Sequence, residues 1–460
     1  MSLKKYAFSS VIAATMLQPV AMFAADYDLG SMSDSRNMKS LREYVDSQRN
    51  ISIFQKGGSL LIAGDVRFDM NYVQEKRDGK NVNGKEGNEI HGNYLRDFPV
   101  VSYDAKASLS LRYTAQSSFA DILLKASHNA GWDTENYNVT SGALPFDYDS
   151  FKPTKSGLKV EKALYGVDLL SDETQTLSAE VGRQRLYDLF DSRITFMQKF
   201  DGVALKYKNV FEGVARMHAT LGGMIIADRV NHYGVAGELG LAQLMDTPFG
   251  LKYSHYKISQ SGTYADGSKT DGTGTTASNS VYKYYDKAYN YSVSHALAYY
   301  DTSVDYMVSA PLKLYAAYAF NHDAKARTEF NDKKKPHAYY AGFTLGDVKM
   351  PGSAYVDVIY QYIQAESVPE LDNCGAYYGM NQTGLPNVVS PTAGYTNFKG
   401  FAINSGYLAT KEILVSAKLV VLDEVDADFE NSTVGDTLGY TPTTSKLDFK
   451  KFETEIAYIF

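Results

Sequence analysis

From Leu60 onward the chain alternates between apolar and polar side chains with a period of two. Leu60, Ile62, Gly64, Val66, Phe68, Met70 and Tyr72 hold the even positions, and Asp65, Arg67, Asp69 and Asn71 fall between them. The pattern returns from Val101, where Val101, Tyr103, Ala105, Ala107, Leu109, Leu111 and Tyr113 oppose Ser102, Asp104, Lys106, Ser108, Ser110 and Arg112. This period is that of a strand with two unlike faces. Both stretches reach the roughly 9–11 tilted residues that a membrane-crossing strand requires. Continued to the end, the alternation predicts roughly sixteen strands, within a range of about fourteen to eighteen, the first over 60–73 and the last over 447–460. One of them, over 288–300, places His295 in the apolar phase.

The segments between the strands alternate in length. Short links such as Ala115–Ser117, Ser171–Thr174, Val210–Glu212, Met245–Thr247 and Ala409-Thr410-Lys411 are separated by long polar stretches, including Gln74–Pro99, Ala130–Leu158, Ser259–Val281, Asp323–Pro336, Glu366–Asn397 and Asp423–Lys446. Bacterial membrane barrels have short turns on one side and longer loops on the other. The expected fold is therefore all-β: a transmembrane antiparallel β-barrel over 59–460. Ala227–Asn231 breaks the rule as a short link on the long-loop side.

Ahead of the barrel, Lys4 and Lys5 precede an apolar stretch from Tyr6 to Phe23 that ends at Ala24 and Ala25, the pattern of a secretory signal peptide over 1–25. Residues 26–58 would form a periplasmic segment whose part from Ser35 to Asn50 reads as a short N-terminal helix, with Met38, Leu41 and Val45 on one face. Loss of Lys4 and Lys5 would lower the formal charge of −7 by two further units.

Composition refines this reading without changing it. Hydrophobic residues make up 44% and mean hydropathy is −0.30, values a soluble protein shares, because a barrel turns every second side chain to water. The aromatic complement is 37 Tyr and 22 Phe against one Trp, Trp132, and a ring with a wet hydroxyl suits the water–lipid boundary. Cys374 is the only cysteine, so no intramolecular disulfide can form. The acidic balance gives no basic footprint for nucleic acid and favours cations as permeants.

The inward phase carries both signs. Asp65, Asp69, Asp104, Asp168, Glu180, Glu238, Asp357, Glu453 and Glu455 accompany Arg67, Lys106, Arg112, Lys162, Arg216, Lys252, Lys313 and Lys418. A dry core could not hold so many ions, whereas a water-filled interior can. Of these, Asp65, Arg67, Asp69, Asp104, Lys106, Arg112 and Arg216 are taken as lining candidates.

Three stretches carry a family resemblance. The final residues set Ile456, Tyr458 and Phe460 two apart, similar to the C-terminal signature that the barrel assembly machinery reads in outer-membrane barrels. Gly352-Ser353-Ala354-Tyr355, then Tyr360 to Glu366, then Thr396 to Gly400 resemble the strand, long loop and strand of the Opr-like porin family. Gly182-Arg183-Gln184 followed by Phe200-Asp201-Gly202-Val203 is similar to the porin pattern around the loop that enters the channel. The resemblance implies a Gram-negative outer-membrane location, a passage for small hydrophilic solutes and ions, contact with outer-membrane lipid, and a homotrimer among the assemblies open to it. It also implies that 186–200 bends inward, with Arg183, Arg185, Arg193 and Lys199 facing Asp188, Asp191 and Asp201 across the pore. The same charges could instead pin the loop to the wall as salt bridges.

Two other classes compete. A surface adhesin or structural barrel would use the long loops. A barrel enzyme would need a catalytic constellation, but the eight His, at 91, 128, 218, 232, 255, 295, 322 and 337, lie near no nucleophile motif, and no His-Glu-x-x-His spacing occurs. No cofactor and no metal is implied. The Gly-, Ser- and Thr-rich run from 259 to 280 lacks the Gly-Lys-Ser/Thr ending of a phosphate loop.

Overall fold

The computed structural model describes residues 58–77, 80–81, 100–129, 158–196, 199–227, 232–260, 291–306, 308–326, 333–364, 366–369, 396–426 and 447–460. The expected signal peptide over 1–25 and the expected helix over 35–50, with Trp132 and Cys374, lie outside them.

Sixteen long strands form one antiparallel sheet that closes on itself. In chain order they are β1 Ser59–Arg77, β2 Val100–Thr114, β3 Ser118–Asn129, β4 Lys159–Ser171, β5 Gln175–Arg185, β6 Lys199–Phe211, β7 Ala215–Ala227, β8 His232–Ala242, β9 Phe249–Gln260, β10 Tyr291–Tyr306, β11 Val308–Asn321, β12 His337–Gly346, β13 Ala354–Ile363, β14 Phe398–Leu408, β15 Ile413–Glu424 and β16 Leu447–Ile459. A two-residue strand at Lys80–Asn81 extends the β1 end. Each strand pairs with its sequence neighbours. Closure is made by β1, which pairs on one side with β2, from Ser59 opposite Thr114, and on the other with β16, from Asp65 opposite Ile459 to Arg77 opposite Leu447.

The seam has its own fitted contact. Gly64 donates its N–H to the carbonyl of Phe460 at 2.8 Å, and Phe460 donates back to Gly64 at 2.9 Å. The Phe460 ring lies over Gly64 so closely that a Cβ there would meet the ring at 2.6 Å. A side chain at 64 would have to displace the Phe460 ring, a demand of close approach and not of backbone torsion.

Alternation sorts the side chains. Val66, Phe68, Val181, Val203, Leu205, Leu221, Val235 and Leu239 are exposed on the outside of the ring, while Asp65, Asp69, Glu180 and Glu238 are buried on the inside. So much apolar surface facing outward, in a ring without a free edge, is the arrangement that lipid demands of a spanning sheet. The fold is a transmembrane β-barrel. Aromatic rings collect near both ends of its outer face: Tyr339 stacks on Tyr362 at 4.8 Å and Tyr360 meets Phe401 at 4.9 Å towards one end, and Tyr458 stacks on Phe460 at 6.3 Å at the other.

Three features depart from the simple alternation. Opposite Leu123 and Leu124, β4 carries a bulge in which Glu161 is the unpaired residue, so Glu161 and Lys162 both turn inward. β10 and β11 stay paired beyond the expected strand end at 300, from Asp301 opposite Lys313, 3.8 Å apart, to Tyr306 opposite Val308. In β10 the greasy phase itself points inward: Tyr291, Val293, Leu297 and Tyr299 are buried together with His295. What they pack against is the segment between β5 and β6.

Gly64→Val should loosen the seam by about 1–3 kcal/mol, the usual cost of forcing extra methyls into a filled site, read as earlier loss of the compact band on heated semi-native gels. Leu205→Arg, near the middle of β6 on the outer face, should cost about 2–4 kcal/mol in reversible unfolding from lipid.

Candidate functional site: a segment folded across the bore

After Arg185 the chain leaves β5, makes a 3-10 turn over Leu186–Asp188, and crosses the inside of the barrel before it returns at Lys199. Its far contacts are with β13, eight strands from β5 in a ring of sixteen, which is the opposite wall. Arg193 Nη1 donates to Asp357 Oδ2 at 2.5 Å, and Gln361 Nε2 donates to the Arg193 carbonyl at 2.8 Å.

Local sequence explains why this segment leaves the sheet. Leu186, Leu189, Phe190, Ile194 and Phe196 are all buried, with polar residues between them at spacings that suit neither strand nor helix. They supply a hydrophobic underside. Phe190 packs on Phe196 at 4.8 Å, and Phe196 meets Tyr256 of β9 edge-on at 5.0 Å. Gly222 of β7 leaves the space that Phe190 fills, since a Cβ there would come within 3.3 Å of the ring. The platform beneath includes Tyr256, Val293, Leu297, Tyr315 and Tyr340, which is why β10 turns its greasy phase inward.

Polar links fix the register on that platform. Lys252 Nζ lies 2.7 Å from Asp191 Oδ2, and the Asp191 amide donates to Glu238 Oε2 at 2.9 Å. Glu238 also meets His218 Nε2 at 3.1 Å. Ser192 Oγ approaches His295 Nε2 at 3.4 Å and receives the amides of Ile194 and Thr195 at 3.2 and 3.3 Å. Thr195 donates to the Tyr256 hydroxyl at 3.0 Å. Asp357 is the hub on the far wall: besides Arg193 it accepts from Tyr315 at 3.0 Å, Thr344 at 2.6 Å and Asn404 at 3.3 Å. The Arg193 guanidinium stands 4.2 Å from the Tyr315 ring centre. Burial works against the Arg193 charge, but Asp357 and the Tyr315 hydroxyl outweigh it and hold the group above its usual pKa.

The remaining charges at the root of the segment gather on Glu161. Lys199 approaches it at 2.6 Å and Arg185 at 3.6 Å. Asp188 is half-buried in the 3-10 turn. The expectation that four cations face three acids of the same segment across a gap is therefore corrected in its pairing. Asp191 and Arg193 find partners on β9 and β13 instead. Arg183 and Asp201 pair with each other at 3.7 Å in the outward phase of Val181 and Val203, 44% and 57% exposed, and so lie outside the bore.

The other wall of the interior is ionic. Arg67 Nε meets Asp65 at 2.5 Å and reaches towards Glu455 at 3.7 Å. Lys106 is paired with Asp69, and the Ser108 hydroxyl with Asp65. Lys162 bonds Asp121 at 2.7 Å and Lys206 bonds Glu180 at 2.8 Å. Arg112 and Arg216 share the inward phase near the short-turn end, where Arg112 lies 5.6 Å from the Phe119 ring centre. Asp104 is placed by its backbone, opposite Asp69. Ile456 and Tyr458 point outward, and Phe460 seats on Gly64.

Among solved structures the chain is similar to Pseudomonas putida OprB in its high-pH form, with 10% identity, 95% of this chain and 100% of that one covered, and a TM-score of 0.45. It is similar to Salmonella typhi OmpF in complex with daunomycin at 12% identity, with 89% and 100% covered and a TM-score of 0.44. A triple mutant of Rhodopseudomonas blastica porin matches at 10% identity, with 87% and 100% covered and a TM-score of 0.38. No family model matches the chain, and no curated protein matches it. The likeness is one of overall fold.

Asp357→Asn should leave the Arg193 charge buried without its counter-ion, a loss of about 3–5 kcal/mol for a broken buried pair. Faster proteolytic cutting between 186 and 200, in a barrel that still gives a strand-type circular dichroism spectrum, would register it.

Proposed function

We propose that the protein is a porin of a Gram-negative outer membrane, a water-filled channel through which small hydrophilic solutes and ions diffuse passively. The observation that carries this reading is the ionic inner wall of β1–β6 and β16, where Arg67, Lys106, Lys162 and Lys206 keep between 18 and 27% of their side-chain surface accessible inside a ring whose outer face is apolar. Partly wetted ion pairs need water along that wall, because desolvating them all would cost several kcal/mol per ion.

The segment from Leu186 to Phe200 narrows the passage by occupying the sector in front of β8–β13. Arg185 and Lys199 hold its root through Glu161, while Asp191 and Arg193 hold it in place further on. Charges of both signs along such a passage order water and screen solutes by size and dipole. The wider reading includes removal of residues 1–25 on export, contact with outer-membrane lipid, recognition of Ile456, Tyr458 and Phe460 by the barrel assembly machinery, and assembly as a homotrimer.

Liposomes bearing the purified protein should swell in isotonic arabinose or glucose and admit larger oligosaccharides progressively more slowly. Liposomes that exclude every sugar while the protein stays folded would point to a packed surface barrel, the adhesin reading, instead. Arg193→Ala should raise single-channel conductance and its noise, since the segment loses its tie to the opposite wall.

A further inference from the structure

The ion pairs of the open wall are not symmetrical towards the interior. Lys106 is 27% accessible over Asp69 at 0%, Lys206 25% over Glu180 at 6%, and Arg67 18% over Asp65 at 3%. Lys162 over Asp121, at 20% and 15%, follows the same order more weakly, and Lys451 with Glu453, at 15% and 22%, reverses it. The carboxylates lie against the sheet and the cations stand in front of them.

Register adds to this. Arg67 and Lys106 sit directly opposite one another on β1 and β2, a juxtaposition that ordinarily destabilises a sheet. It is held by Asp65 and Asp69 beneath the two cations and by Glu455 beside Arg67. An ion crossing this wall meets the nearer charge first, and a low-dielectric wall that surrounds a narrow aqueous path strengthens that preference.

We propose that the channel prefers anions to cations, with small phosphate- or carboxylate-bearing solutes as its favoured cargo, selected by Arg67, Lys106, Lys162 and Lys206. This rests on the channel reading above and runs against the formal charge of −7, because selectivity follows the charges that face the path and not the sum over the chain.

The test is the reversal potential of the full-length barrel in a planar bilayer under a potassium chloride gradient, where the two ions have nearly equal mobility. Chloride should permeate about twofold or more better than potassium. Lys206→Gln and Lys106→Gln should each move the ratio towards unity, since each removes one of the accessible cations of this wall. A wild-type ratio at or below unity overturns the anion preference while the channel reading stands. An anion preference untouched by both substitutions overturns the assignment to this wall. Bilayers that show insertion of folded protein but no current overturn the channel reading, and the inference with it.

Discussion

Ring closure is the constraint on which everything else in this molecule depends. A sheet in hydrocarbon cannot leave a row of N–H and C=O groups unpaired, since each would cost several kcal/mol. The chain satisfies that demand only when β1 has both β2 and β16 beside it. Closure then fixes which phase of every strand faces lipid and which faces the bore. The reciprocal bonds of Gly64 with Phe460 set the register of the joint, and a one-residue slip there would turn a whole strand inside out.

Within the ring, one sector is dry and the other ionic. The segment between β5 and β6 buries Phe190, Ile194 and Phe196 against β7–β13 and is positioned by a few shielded polar links. Pairs such as Asp191 with Lys252 and Arg193 with Asp357 give orientation more than net stability, because desolvation takes back much of their attraction. On β1–β6 the balance differs: water reaches the long side chains, each pair is individually weak, and the effect of the group is electrostatic.

Much of the fold was legible because alternation is a backbone property written into side chains. The strands from Leu60 and Val101, the pairing parity and the inward phase of Arg67, Asp69 and Lys106 follow from it directly. Legibility failed where a tertiary partner changes what the inside requires. His295 was read in an apolar phase facing lipid; that phase faces inward, because the crossing segment needs an apolar seat. Glu161 was missed because a bulge breaks the period locally, and no motif announces it. Asp357, Glu238 and Lys252 were placed inward, but nothing in their surroundings along the chain says that they clamp Asp191 and Arg193, more than forty positions away. Arg183 and Asp201 show the converse error: nearness in sequence to the crossing segment suggested a shared site, and strand parity puts them on the other face.

The seat beneath that segment leaves β12 and β13 largely apolar on both sides, with Thr344, Asp357 and Gln361 as polar exceptions on the inner one. Tyr340 and Ala338 are buried inward while Tyr339 and Phe343 look outward, and Ile359 and Ile363 are backed by Val358, Tyr360 and Tyr362. Until its neighbours arrive, such a hairpin shows mostly apolar side chains to water on both surfaces. It is therefore the stretch of the nascent polypeptide most prone to clump and most dependent on a holding chaperone during transit.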